Sequence, residues 1–129
     1  MYLEQKVADF MTKDVVTVEA SDPVSVAQAK LKEFGLEKIL VTENGTPLGV
    51  LESWAAEKMD PKASIRSALA KVKYELAPIR KVTPESTFAD ARESLGGVAA
   101  LVVVDNPLNP RGVLGIVTTT DLFKARPKF

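Results

Sequence analysis

The chain contains neither cysteine nor histidine. Without cysteine there are no disulfides and no thiolate metal sites. Without histidine the commonest general base and the commonest metal ligand are both missing. An excess of either charge is lacking too. The 17 basic and 17 acidic side chains give a formal net charge of zero, so no bulk electrostatic pull draws the chain to nucleic acid or to anionic membrane. Long apolar runs are also absent. The longest, Val98 to Val104, is far short of the ~20 residues that span a bilayer. The opening Met-Tyr-Leu-Glu-Gln-Lys has no apolar core of a signal peptide. These absences set the expectation of a cytoplasmic protein with no metal or catalytic site, working by binding rather than by chemistry.

What is present is an internal duplication. Gly115-Ile-Val-Thr-Thr-Thr-Asp121 has a broken earlier copy at Gly49-Val-Leu-Glu-Ser-Trp-Ala55. Val26-Ala-Gln-Ala29 aligns with Phe88-Ala-Asp-Ala91, and Gly35 to Val41 aligns with Gly97 to Val103, both without a gap. A short insertion at Asn106 to Arg111 then brings Leu48-Gly-Val50 into line with Leu114-Gly-Ile116. A repeat of this period has to be settled before any other feature of the fold. It divides the chain into a first repeat over residues 1–60 and a second over 61–129, the latter including a joining stretch, 61–77.

Each half reads as strand, helix, strand, strand, helix. Val15 to Val18 and Ile79 to Val82 are rich in β-branched residues, as strands are. Ser21-Asp22-Pro23 and Thr83-Pro84-Glu85 carry the turn chemistry of a helix start. Val26, Ala29, Lys30 and Phe34 keep helical spacing, as do Phe88, Ala91, Arg92 and Leu95. Ile39–Val41 and Leu101–Val104 are continuously apolar, which predicts strands buried on both faces. Asn44-Gly45 predicts a tight hairpin, because both positions tolerate positive φ. Residues 61–77 show a weaker helical pattern at Ile65, Ala68, Leu69 and Val72, and Val7, Phe10 and Met11 give a similar opening segment. The closing helix of the second half is expected to fray near Pro127. One half cannot cover both faces of its own sheet. The expected fold is therefore α+β, with two pseudo-symmetric βαββα repeats packed sheet to sheet and ligand clefts at the seam.

Val7-Ala-Asp-Phe-Met-Thr-Lys-Asp-Val-Val-Thr-Val18 and Gly115 to Leu122 resemble the opening and closing motifs of CBS domains, named for cystathionine beta-synthase. Two in tandem resemble a Bateman module, and the resemblance covers essentially the whole chain. It implies a pseudo-symmetric pair that dimerises as a disc and senses an adenosyl ligand (AMP, ADP, ATP or S-adenosylmethionine) to regulate another protein. On the family pattern Thr118, Thr120 and Asp121 hold phosphate and ribose, and Ile116 touches the base. Ile79 aligns with the position that lines the adenine pocket, and Gly97, Val98 and Ala99, small residues just before the buried strand, are candidates for its other wall.

Residue chemistry gives each assignment a competing structural reading. An ionised Asp121 accepts hydrogen bonds from both hydroxyls of a ribose, and Thr118 and Thr120 stand where a helix start favours phosphate. Thr118-x-x-Asp121 is equally close to a capping box, which stabilises a helix with no ligand present. Ile79 also suits an ordinary core, and the small residues from Gly97 suit tight packing. Family members place basic side chains before the second strand. Here that position holds Ala99-Ala100 in one repeat and Glu37-Lys38 in the other. Lys38 and Arg80 are the remaining candidate phosphate contacts, so a monophosphate, a nucleoside or S-adenosylmethionine fits better than a triphosphate.

In the first repeat Glu52, Trp54 and Ala55 replace Thr118, Thr120 and Asp121. A carboxylate repels phosphate and alanine offers the ribose no acceptor, so this copy is not expected to bind a nucleotide in the usual way. Trp54 is expected to fill the vacant cleft, with anchoring of a partner as the alternative. Two functions follow. One is a stand-alone regulatory module, most simply a homodimer, that reports its ligand to a separate partner. The other is an interaction module that has lost its ligand. No acid/base pair supports an enzyme, no basic patch supports a nucleic-acid role, and no acidic cluster implies a dedicated magnesium site.

Overall fold

The computed structural model describes residues 4–106 and 112–125. They fall into two compact units, Val16–Ala77 and a second made of Met1–Val15 with Pro78–Phe129. The insertion expected at Asn106–Arg111, apart from Asn106, and the fraying expected near Pro127 lie outside the described residues.

The unit Val16–Ala77 opens with β1 (Thr17–Glu19) and α2 (Val24–Glu33), following the short opening helix α1 (Val7–Phe10) of the other unit. It continues through β2 (Lys38–Glu43), β3 (Thr46–Glu52), α3 (Ser53–Ala56) and α4 (Ile65–Val72). The sheet order is β1-β2-β3, parallel in the first pair and antiparallel in the second. β1 starts two residues later than the valine run predicts, because its ladder with β2 opens at Thr17 opposite Leu40. The β2–β3 hairpin turns as the sequence predicts, at Asn44 (φ 52°) and Gly45 (φ 83°). Glu19 braces this turn, its carboxylate accepting from the Thr42 hydroxyl and the Asn44 N–H, bonds that hold its pKa below the usual carboxylate value. Val18, Ile39, Val41 and Leu51 pack with Val24, Ala27 and Leu31 of α2 and with Ile65 and Ala68 of α4.

The second unit repeats the plan with β4 (Ile79–Val82), α5 (Phe88–Ser94), β5 (Ala100–Val104), β6 (Val113–Val117) and α6 (Thr119–Ala125). Its sheet runs β4-β5-β6 with the same parallel and antiparallel pairings. α5 is fixed at its start by a capping box between Thr87 and Asp90. Every residue of β5 is buried, as its unbroken apolar sequence predicts. Val7 and Phe10 of α1 pack with Phe88, Ala91, Leu101, Val103 and Val117, and the Phe10 and Phe88 rings meet edge to face at 5.9 Å.

The compact units therefore differ from the division of the sequence at residue 60. The opening segment, first in the chain, packs on the sheet of the second repeat, where Thr12 and Ile116 exchange both backbone hydrogen bonds at 2.9 Å. The joining stretch 61–77 packs on the sheet of the first repeat, where Ala77 and Val50 do the same at 2.8 and 3.0 Å. Each crossing passes over a glycine. A Cβ on Gly115 would lie 2.5 Å from the Met11 sulfur, and one on Gly49 would lie 2.7 Å from Leu76 Cβ. The third strand of each sheet has a glycine because another piece of chain occupies the space of its side chain.

Candidate functional site

The ladders of the second unit bring most of the expected site to one end of one sheet. Ile79 opens β4 and pairs with Ala100 at the start of β5, and Leu101 pairs with Val117 at the end of β6. The chain enters β5 through Gly97 and Val98 and leaves β6 at Thr118, so these residues share that edge with Ile79. Ile116 lies one step inside it, opposite Val102. Gly97 has φ +82° with nothing within 4 Å of where a Cβ would stand. It is a glycine for its backbone conformation, and the tight packing offered as its alternative role is not found.

Asp121 is the best-held polar group at this end. It is 2% exposed. Its Oδ2 accepts from the Thr118 N–H at 2.9 Å, with the Thr118 hydroxyl at 3.4 Å, which is the carboxylate arm of the expected capping box. Its Oδ1 accepts from the Thr12 hydroxyl at 2.8 Å. Thr120 is exposed in the first turn of α6. Arg80 is engaged elsewhere, donating to the carbonyl of Ser94 at 2.6 Å. Lys38 stands in the other unit, exposed and opposite Glu52 on the β2–β3 ladder.

The broken copy is built differently. Ala55 is buried, and Glu52 is bound at both oxygens, accepting from Trp54 Nε1 at 2.9 Å and from the Tyr74 hydroxyl at 3.4 Å. The two rings meet edge to face at 5.6 Å, and the Lys58 ammonium lies 5.5 Å from the centroid of the Trp54 ring. Trp54 remains 52% exposed. The expectation that it fills a cleft is therefore corrected: Glu52, Tyr74 and Lys58 hold it at the surface, where it keeps its hydrogen bond without burying its ring. A separate groove of about 630 Å³ opens between α2 and α3, lined by Leu31, Lys32, Leu36, Ala56 and Glu57 among others. It holds none of the predicted site residues, and the motif chemistry rather than this hollow locates the candidate site.

Residues 7–54 and 70–128 both match the CBS domain family. The chain belongs to the CBS-domain family. Among curated proteins it is 28% identical to the uncharacterized protein MJ0188 of Methanocaldococcus jannaschii, and 29% identical to the arabinose 5-phosphate isomerase KdsD of Francisella tularensis, each over 123 residues. Those alignments take in 94% and 92% of this chain but 44% and 37% of the relatives, so the chain spans less than half of their length. Among solved structures, the CBS-containing hemolysin-like protein of Oenococcus oeni superposes with a TM-score of 0.77 at 18% identity, covering 96% of this chain and 91% of that one. The CBS domain of a bacterial CNNM/CorC family Mg2+ transporter, in complex with ATP, gives 0.76 at 19% identity, with coverages of 96% and 88%. CBSX2 in complex with AMP gives 0.68 at 23% identity, with coverages of 94% and 95%. These likenesses establish the fold: two CBS repeats, each with a three-stranded mixed sheet and its helices. No described helix is long and apolar enough to cross a membrane.

Two residues of this CBS pair stand out only in the structure. Thr12 belongs to the opening motif by sequence, yet its hydroxyl reaches a carboxylate 109 residues away. Tyr74 lies in the joining stretch, where helical spacing gave it no role. Burial pushes its phenol above the ordinary value near 10. The folded protein thus holds the Tyr74 proton more tightly than the unfolded chain does. Its contribution to stability is complete below pH 10 and is lost as pH rises through the higher folded value. In a near-ultraviolet alkaline titration, Tyr74→Phe should remove the later-ionising phenolate component. If the component that disappears is the earlier one, the phenol is not shielded.

Proposed function

We propose that this CBS pair is a regulatory module that binds one adenosyl ligand per chain at the second repeat and passes the signal to a separate protein. The observation that carries this reading is the gathering of Ile79, Gly97, Val98, Ile116, Thr118, Thr120 and Asp121 at one end of the β4-β5-β6 sheet. The family pattern assigns Ile79, Ile116, Thr118, Thr120 and Asp121 to base, ribose and phosphate, and Gly97 and Val98 offer the other wall of the base pocket. Complexes of two structurally similar proteins with ATP and with AMP support the same ligand class. Arg80 is committed to the Ser94 carbonyl, which favours AMP, a nucleoside or S-adenosylmethionine over a triphosphate. The exposed Phe34 at the C-terminal end of α2 supports a homodimer as the working form.

Thermal unfolding with AMP, ADP, ATP and S-adenosylmethionine tests the reading. A ligand at a hundred times its dissociation constant adds about 2.7 kcal/mol, a rise of several degrees for a chain of this size. No rise with any of them would sink the proposal. It would favour a module acting through protein contacts alone, a reading supported by the occupied oxygens of Asp121 and the exposed Trp54.

A further inference from the structure

The link between Thr12 and Asp121 is not required by the fold. In each unit a foreign segment crosses the third strand and exchanges two backbone hydrogen bonds with it, Thr12 with Ile116 and Ala77 with Val50. The repeat places Ala55 where Asp121 stands, and the crossing places Ala77 where Thr12 stands. The unit Val16–Ala77 therefore makes the same crossing with an alanine at both positions, held by backbone and packing alone. The hydroxyl and the carboxylate are present together in the unit with the intact motif and absent together in the unit with the broken one.

Burial determines what this pair does. Asp121 is 2% exposed, so a ligand reaches its carboxylate only if a present partner gives way. The Thr118 amide cannot, because the chain entering α6 fixes it. The Thr12 hydroxyl can. It is only partly buried, it turns about one side-chain bond, and the Thr12 backbone stays paired with Ile116 while it does. We propose that Thr12 is a positioning residue of the ligand site: its hydroxyl satisfies Asp121 while the site is empty, and a ribose hydroxyl of the ligand takes its place. The inference rests on the adenosyl reading above and adds a residue to that site. Exchanging one neutral hydroxyl for another on the same carboxylate yields little net affinity, so in the parent protein Thr12 weakens binding and sets the ligand concentration at which the module responds.

The test is calorimetric titration of the whole chain with AMP and S-adenosylmethionine, and with 2′,3′-dideoxy-AMP as the probe that lacks ribose hydroxyls. Thr12→Val removes the internal donor at constant shape. Thr12→Ala, the residue the other unit uses at its crossing, is the second variant should valine disturb folding, and Thr12→Ser restores the hydroxyl. Either removal should tighten binding of a ribose-bearing ligand about tenfold, the low end for a hydrogen bond to a charged group. Thr12→Ser should match the parent, and the dideoxy probe should not distinguish the variants. Ribose-bearing ligand that binds the parent but binds Thr12→Val and Thr12→Ala no more tightly overturns this inference alone. No binding by the parent or any variant overturns the adenosyl reading, and this inference with it.

Discussion

An Asp121→Ala variant should unfold about 10 °C below the parent, a loss of roughly 3 kcal/mol for a chain of this length. From the Thr118-x-x-Asp121 spacing alone the expected loss is that of an end cap, about 1 kcal/mol. The structure raises it, because the carboxylate is buried and also accepts the Thr12 hydroxyl from the opening segment. Hydrogen bonds to a charged group each contribute about 1.5–3 kcal/mol net. Two effects keep the total near the lower bound. Removing the charge relieves its desolvation, and the partly buried Thr12 hydroxyl can turn toward water. Asp121→Asn keeps the shape and one acceptor and should lose about half as much. Denaturant titration with an unchanged slope is the measurement. A loss of 1 kcal/mol or less would reduce Asp121 to a cap and leave the Thr12 bond without energetic weight. If the adenosyl proposal holds, Asp121→Ala also abolishes the ligand-induced rise in melting temperature.

The features that sequence made legible are those fixed by neighbours in the chain. Asn44-Gly45 specifies its own turn, the unbroken Leu-Val-Val-Val of β5 specifies burial on both faces, and the alignment of the repeats, with its one insertion, specifies two equivalent sheets. The site motif was legible for the same reason, since Gly115 to Asp121 is one strand running directly into one helix. What the sequence concealed was set by partners far away along the chain. Sequence gives Thr12 no role beyond its place in the opening motif, whereas its hydrogen bonds go to Ile116 and Asp121. Gly49 and Gly115 signal that something passes close by, but a glycine does not name the segment that passes. Trp54 misled in another way. A large aromatic in a broken motif reads as filler, yet an indole N–H needs an acceptor, and Glu52 supplies one at the surface.

The two glycine crossings also differ in how much they resist crowding, which makes the second large effect. Gly49→Ala should cost about 3 kcal/mol, the upper range for overpacking. Its Cβ would lie 2.7 Å from Leu76 Cβ and 2.9 Å from the Ala77 carbonyl oxygen. Both atoms are fixed to the backbone, so relief comes only by lifting the crossing segment and losing the paired bonds between Val50 and Ala77. Gly115→Ala should cost about half as much. Its two closest neighbours are Sδ and Cγ of Met11, which another rotamer can carry away, leaving only the Thr12 carbonyl oxygen at 3.0 Å. Chemical denaturation of the two variants side by side gives the order directly. Equal costs would show that Met11 is as immobile as backbone. The reverse order would mean that the crossing at Ala77 yields more easily than its two hydrogen bonds imply.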